Sequence, residues 1–333
     1  MKAAVIENPG EIRVGSVEDP TPRPGEVVLR VGVCGVCGTD LHIADGEFPP
    51  TPYPIVPGHE FAGEIVAVGA GVEDVSEGDR VAVDPSLFCG RCHFCRRGRG
   101  NLCQNWGAIG DTVDGAFAEY VAVPAANAYV LPEHLSYEEA ALIEPVSCAV
   151  RSMHRLSVGV GETVLVVGAG TMGLILSQLV MRAGASRVAV ADLNAERLGR
   201  AEGLGAATSA SVAKLVEEEP LGFDCVIDAT GVPAAIEEAL GAVKRGGRFL
   251  VFGVAPEEAR VSVSPFKIYN DEITLLGSMA VLHSFPQAVD LVANGIVDAR
   301  SLLTGLLALD QYPEALGRVR RGEGLKTQVS PHA

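Results

Sequence analysis

The sequence predicts an α/β protein of two domains, an antiparallel barrel-like half followed by a doubly wound parallel sheet. Three observations carry this. Short β-branched runs alternate with Gly- and Pro-rich turns up to about residue 123, the rhythm changes after about Pro145 to strands separated by helix-length segments, and residues 164–173 join a buried strand to G-x-G-x-x-G. A length of 333 residues exceeds what one core usually organises, so two domains are expected.

The early strands include 27–31 and 63–68, which are β-branched and bounded by turn residues. The proline run 49–54 lacks the N–H donors a sheet or helix needs and is expected to form an extended surface loop. Further on, strands are expected at 163–167, 187–191, 224–228 and 247–252, with helices at 171–183, 195–204 and 233–243 between them. A last helical stretch covers 285–293, and no internal repeat or low-complexity tract interrupts the chain.

Hydrophobic residues make up 48% and charged residues 20%, enough for a packed interior and too little charge for disorder. A formal net charge of −16 repels nucleic acid and anionic membranes, so a small diffusing substrate is the expected partner. The longest apolar stretch, 164–176, is glycine-interrupted and too short to span a bilayer, and the opening residues reach Glu7 before a signal-peptide core forms. A cytoplasmic location is the expectation, and the eight cysteines are then not a disulfide framework.

Within 164–173, Gly168 permits a tight turn, Gly170 lets a pyrophosphate approach the backbone, and Gly173 allows close helix–strand packing, with phosphate facing the helix N-terminus. The next strand ends in Asp192, placed to bind the adenosine ribose hydroxyls, which favours NAD; Arg197 nearby leaves NADP open. The expected cofactor site comprises Gly168, Gly170, Thr171, Met172, Gly173, Asp192, Arg197, Thr230, Gly253 and Ser278.

Cys89, Cys92, Cys95 and Cys103 have the spacing C-x2-C-x2-C-x7-C. Four thiolates close a tetrahedron around Zn²⁺ and leave no position for substrate, so the role is structural. Arg91, Arg96, Arg97 and Arg99 would offset the excess negative charge, and His93 is an exposed spacer. An iron–sulfur cluster would use the same four ligands, but no redox-partner motif accompanies them.

Cys37, His42, His59 and Glu60 supply a thiolate, two imidazoles and a carboxylate, with Glu144 a further candidate at the domain boundary. Mixed ligands that leave a position open suit a catalytic zinc, which can polarise a substrate oxygen. Cys34, Cys148 and Cys225 are read as packing residues.

Cys37-Gly38-Thr39-Asp40 with His42, the run Gly58-His59-Glu60-Phe61-Ala62-Gly63, the four-cysteine lobe and Gly168-Ala169-Gly170-Thr171-Met172-Gly173 occur in one order along the chain. In this the sequence resembles the zinc-containing medium-chain dehydrogenases over essentially its whole length. Glu144-Pro145 makes it most similar to the polyol (sorbitol-like) and L-threonine dehydrogenase branches. The resemblance implies a GroES-like β-barrel catalytic domain at 1–145 with a zinc lobe at about 85–105, a Rossmann NAD-binding domain at 146–282, and a segment 283–333 returning to the first domain. It implies one catalytic zinc on Cys37 and His59, with Glu60 and Glu144 as exchangeable ligands, and one structural zinc on the four cysteines. Thr39 would take the alcohol proton and pass it through the nicotinamide ribose to His42.

The expected reaction is reversible NAD-linked oxidation of a secondary alcohol or polyol to the ketone. An L-threonine 3-dehydrogenase-type or diol dehydrogenase stands as the alternative within the family, because Gly277-Ser278-Met279-Ala280-Val281 offers few hydrogen bonds to hydroxyls. From another class, a non-catalytic nucleotide-binding protein of the same fold is the alternative. Phe48, Phe88 and Trp106 are nominated for the substrate pocket, and family resemblance implies a homo-oligomer, a dimer or tetramer.

Overall fold

The structure, a computed structural model, describes residues 1–47 and 51–333; Phe48 and the first two prolines of the run 49–54 lie outside the described residues. The chain forms two compact units, Met1–Ser147 with Val281–Ala333, and Cys148–Ala280.

The first unit opens with β1 (Lys2–Asn8) and β2 (Glu11–Ser16), an antiparallel hairpin turned at Pro9 and Gly10, where φ is 81°. The long strand β3 (Glu26–Val36) leads through Cys37 into α1 (Gly38–Asp45), which stops at Gly46 in a left-handed cap. Then follow β4 (Glu60–Val68), β5 (Arg80–Val83), the short pair β6 (Ser86–Leu87) and β7 (Gly107–Ala108), β8 (Tyr120–Pro124) and β9 (Ala128–Val130). Helix α2 (Tyr137–Ala140) starts on a capping box of Ser136 and Glu139. Helix α3 (Ile143–Leu156) begins in this unit and ends in the next. The described part of the proline run is loop, with Pro52 and Pro54 exposed, as its missing donors require.

The second unit continues with β10 (Thr163–Val167), α4 (Thr171–Arg182), β11 (Arg187–Ala191), α5 (Ala195–Gly203), β12 (Ala207–Ser209), α6 (Val212–Glu218), β13 (Phe223–Asp228), α7 (Pro233–Gly241), β14 (Val243–Val251), α8 (Pro265–Asp271) and β15 (Thr274–Gly277). The strands form one parallel sheet in the order β12-β11-β10-β13-β14-β15, whose direction of growth reverses between β10 and β13. Leu165, Val167, Ala189, Phe223 and Phe249 fill its core. Strand β14 starts ahead of the expected residue 247, because Val243 already pairs with Phe223 before Gly246, at φ 73°, interrupts the register.

The chain then returns to the first unit through α9 (Phe285–Ala293), β16 (Leu303–Ala308), α10 (Tyr312–Arg320) and β17 (Lys326–Ser330). That unit's main sheet runs β16-β17-β3-β4-β5-β9, with β8 also on β3. Its strands are antiparallel except for β16 and β17, which pair in parallel because α10 carries the chain back between them. The expected antiparallel architecture is therefore mixed at one edge. Fully buried Phe61, Phe117 and Tyr312 anchor the core, the last two with ring centroids 4.5 Å apart. Among the described residues, no helix is long and apolar enough to cross a membrane.

Candidate metal and cofactor sites

Cys37 ends β3 as the N-cap of α1, and His59 and Glu60 lead into β4, which pairs with β3 through Gly35 and Glu60. This pairing brings Cys37 Sγ to 3.2 Å from His59 Nε2, and one donor atom each of Cys37, His59 and Glu60 lies within 4.8 Å of the others. Tetrahedral zinc with ordinary Zn–S and Zn–N bonds sets such a sulfur and nitrogen about 3.5 Å apart, so the donor set fits. Asp40 sits three residues past the cap, where its Oδ2 accepts from Cys37 N–H at 2.8 Å. Its other oxygen is buried without a hydrogen bond 3.8 Å from His59 Nδ1, which is equally unpaired. The two stand where a metal-bound imidazole is usually oriented by a carboxylate.

Burial raises the Cys37 thiol, reinforced by the charges of Asp40 and Glu60 and opposed by His59. For His59, burial disfavours the charged ring, but Cys37, Asp40 and Glu144 together raise its pKa well above the usual value. Glu144 is itself buried at the start of α3. The cluster gathers donor atoms close enough to share a cation. Thr39 is half-buried in the first turn of α1, and His42, one turn on, places Nδ1 2.9 Å from Glu47 Oε2.

Glycines shape the cradle. A Cβ at Gly35 would overlap Glu60 Oε2, and one at Gly58, at φ 105°, would meet Cys34 Sγ and Phe117 N at 2.8 Å. Lys326 of β17 donates from Nζ to Glu60 Oε2 at 2.6 Å and to the Val36 carbonyl at 3.3 Å. Sequence reasoning did not identify Lys326 or Gly35 as site residues. Asp40 carried a signal in its spacing from Cys37, that of a helix-capping acid; Lys326 carried none.

In the lobe, the thiols of Cys89, Cys92, Cys95 and Cys103 likewise lie within 4.8 Å of one another. Cys92 Sγ is 3.5 Å from Cys95 Sγ and 3.9 Å from Cys103 Sγ, against about 3.8 Å between sulfurs on a tetrahedral zinc. Backbone N–H groups already serve the sulfurs: Cys89 and Asn105 each donate to Cys103 at 3.3 Å. The Cys95 N–H leads the contacts that lower Cys92 to about 6, while burial and the neighbouring sulfurs push Cys95 up to about 12. His93 is exposed beside Arg97. Phe88 is largely exposed, and the Trp106 indole N–H is buried without a partner.

In the second unit, the loop after β10 has the geometry its glycines require. Gly168 has φ 102° and a Cβ there would lie 2.9 Å from Thr230 Cγ2, while one at Gly173 would overlap the Gly168 carbonyl. A Cβ at Gly170 would meet nothing within 4 Å, and Gly170 caps α4 without a side-chain bond, leaving the helix N-terminus, with Thr171 and Met172 in its first turn, open to a phosphate. Asp192 accepts from Ala169 N–H at 2.6 Å and from Asn194 N–H at 2.8 Å, which draws the acid onto the glycine loop. Thr230 donates to buried Asp228 at 2.6 Å, Gly253 packs against Gly231, and Ser278 Oγ is buried without a partner. Arg197 follows as the third residue of α5, its N–H bonded to the Asn194 cap at 3.1 Å. Cys225 departs from a plain packing role: Arg248 donates to its Sγ at 2.9 Å and also pairs with Glu162.

Residues 23–133 match the alcohol dehydrogenase GroES-like domain and residues 171–294 the zinc-binding dehydrogenase domain. The chain is 39% identical over its full length to D-arabinitol dehydrogenase 1 of Uromyces fabae, covering 97% of that protein. It is 35% identical over its full length to sorbitol dehydrogenase of Bacillus subtilis (strain 168), covering 98%. A structure from Sinorhizobium meliloti 1021, described as a zinc-binding dehydrogenase bound to NADP, superposes with a TM-score of 0.95 at 36% identity, covering 99% of each chain. Two dehydrogenase domains in sequence order, full-length identity to polyol dehydrogenases and the converged Cys37–His59–Glu60 set agree: this chain belongs to the zinc-type medium-chain alcohol dehydrogenases and is an oxidoreductase that exchanges hydride between an alcohol and a nicotinamide dinucleotide.

Proposed function

We propose that the protein oxidises a secondary hydroxyl of a polyol reversibly to the ketone, with NAD as the preferred acceptor. The convergence of Cys37, His59 and Glu60 carries this reading. These residues and Glu144 would hold a catalytic zinc, and Cys89, Cys92, Cys95 and Cys103 a second, structural one. Zinc in the first site supplies Lewis acidity to the alcohol oxygen, and the dinucleotide accepts the hydride.

The chain's own residues handle the proton. Thr39 Oγ1 accepts it from the alcohol as it passes its own proton on toward His42. Glu47 can only accept from His42, so Nδ1 carries a proton and Nε2 is free to receive one before releasing it to solvent. Asp40 keeps Cys37 and His59 in place through the contacts described.

Gly168, Gly170, Thr171, Met172 and Gly173 would cradle the pyrophosphate, with Thr230, Gly253 and Ser278 further along the ends of the strands. Asp192 favours NAD, because a 2′-phosphate beside it would juxtapose like charges; Arg197 is the residue able to relax that preference. Polyols are the substrate class because the full-length relatives are named for arabinitol and sorbitol. The free thiols fit a reducing cytoplasm. The exposed Leu275 on edge strand β15, with exposed Phe266 and Tyr269 on α8, fits assembly into a dimer or tetramer through this edge.

The test is NADH formation by the zinc-loaded protein across pentitols, hexitols, diols and L-threonine, repeated with Cys37→Ser. Turnover of at least one polyol is expected, abolished in the variant while NADH binding persists. Silence across the panel, or an unaffected variant, would overturn the proposal.

A further inference from the structure

Glu60–Lys326 is an ion pair with both side chains almost fully buried, each 4% exposed. Withdrawing an ammonium and a carboxylate from water carries a large desolvation penalty for each ion, which close contact only partly offsets. Such a pair needs a reason beyond stability, and its position supplies one. Lys326 lies on β17 and Glu60 on β4, the two strands that flank the end of β3. Between them is Gly35, whose missing side chain leaves the room for Glu60 Oε2. Three features therefore converge on one oxygen of a carboxylate that also belongs to the Cys37–His59–Glu60 set: the Lys326 ammonium, the gap at Gly35, and the Val36 carbonyl that steadies the ammonium.

We infer that Lys326 is a positioning residue for the metal site, holding Oε2 of Glu60 so that this carboxylate can offer a cation only its other oxygen. The inference rests on the zinc reading above. Two consequences follow from charge and geometry. A thiolate and two carboxylates around Zn²⁺ leave one surplus negative charge, which the Lys326 ammonium balances without occupying a coordination position. Glu60, tethered by one oxygen, is prevented from chelating with both, which would fill the position needed by the alcohol and weaken the cation's pull on it.

The test replaces both zinc ions with Co²⁺ and records the visible absorption of the folded protein; subtracting the Cys37→Ser spectrum isolates this site from the four-cysteine lobe. The wild type should show the intense bands of a four-coordinate cobalt thiolate. In Lys326→Met, Glu60 released from its tether should bind with both oxygens, so the bands weaken to a fraction of their intensity. Competition with a chromophoric chelator should then show metal held about tenfold more tightly, because the ammonium that repels the cation is gone. Lys326→Arg should restore the wild-type spectrum. Lys326→Gln, neutral but able to hydrogen-bond, provides a milder replacement should Met prevent folding, and it should shift the spectrum in the same direction. An unchanged spectrum and metal affinity in the folded neutral variant would overturn the inference. Absence of any cobalt–thiolate band that depends on Cys37 in the wild type would instead sink the zinc reading itself.

Discussion

Gly35 shows how a residue with no side chain can govern chemistry. It pairs with Glu60 on one side and Gln328 on the other, and a methyl group placed on it would occupy the space of the Glu60 carboxylate. Backbone on both flanks prevents β3 from shifting, so Glu60 must move instead. Gly35→Ala should lower kcat/KM by about 10- to 100-fold while circular dichroism and NADH binding stay near wild type; steady-state kinetics at full metal loading checks this. Asp192 is the corresponding residue of the proposed cofactor site. Because its carboxylate reaches back to Ala169 N–H, it opposes any added phosphate there. Asp192→Ser should raise KM for NAD and lower that for NADP, narrowing the ratio of their kcat/KM values by at least about tenfold, or about 1.4 kcal/mol; equal effects on both dinucleotides would assign Asp192 a purely structural role.

At the scale of elements, the four-cysteine lobe has little secondary structure of its own, a few short helical turns between exposed arginines. Its order should depend on the ion that its thiols fit. Cys103→Ser, or chelation of the wild type, is expected to open Arg91, Arg96, Arg97 and Arg99 to trypsin, with little change in the cleavage of the parallel sheet; peptide mapping over time reads this out. The base of that sheet has a different stabilising device. Asp224 binds Lys244 Nζ at 2.8 Å and Thr163 N–H at 3.0 Å. Burial pushes its carboxyl upward, but these donors outweigh it and leave the pKa below the ordinary 3.8. The folded state thus binds this proton less tightly than the unfolded chain. The stabilisation is present above the unfolded pKa and is lost as pH falls through the lower folded value. Asp224→Asn should therefore melt below the wild type at about pH 7, and the gap should narrow as the pH falls below about 4; thermal midpoints across that range decide it.

For the whole molecule, a ligand that binds only the folded protein adds stability by mass action. NADH at about a hundredfold over its Kd should contribute about 2.7 kcal/mol, and NADPH at the same concentration less. Thermal shifts measured with each dinucleotide, with and without chelator, would separate cofactor from metal contributions. Much of this organisation was legible in the sequence. Strands Thr163–Val167 and Arg187–Ala191 and helix Phe285–Ala293 have the expected bounds, because a buried apolar run or an amphipathic period between turn residues is local information. Short elements such as Ala207–Ser209 and Thr274–Gly277 carry too few residues to show a period. Val243 joined β14 through a partner on another strand, which no local pattern records.

The same division holds at the site. The sequence by itself determined the donor sets proposed to hold metal, since Cys37 with Asp40, His59 with Glu60, and the four clustered cysteines are each set by a short stretch of chain whose spacing permits convergence. It also determined the glycine turn proposed to bind phosphate, because Gly168, Gly170 and Gly173 lie within one strand–loop–helix unit. Only the tertiary structure decided what surrounds these donors. Lys326 stands 266 residues from Glu60, and the two meet because β17 and β4 pack on opposite sides of β3. A charge balance assembled across strands depends on distance in space, and the order of residues along the chain does not encode that distance.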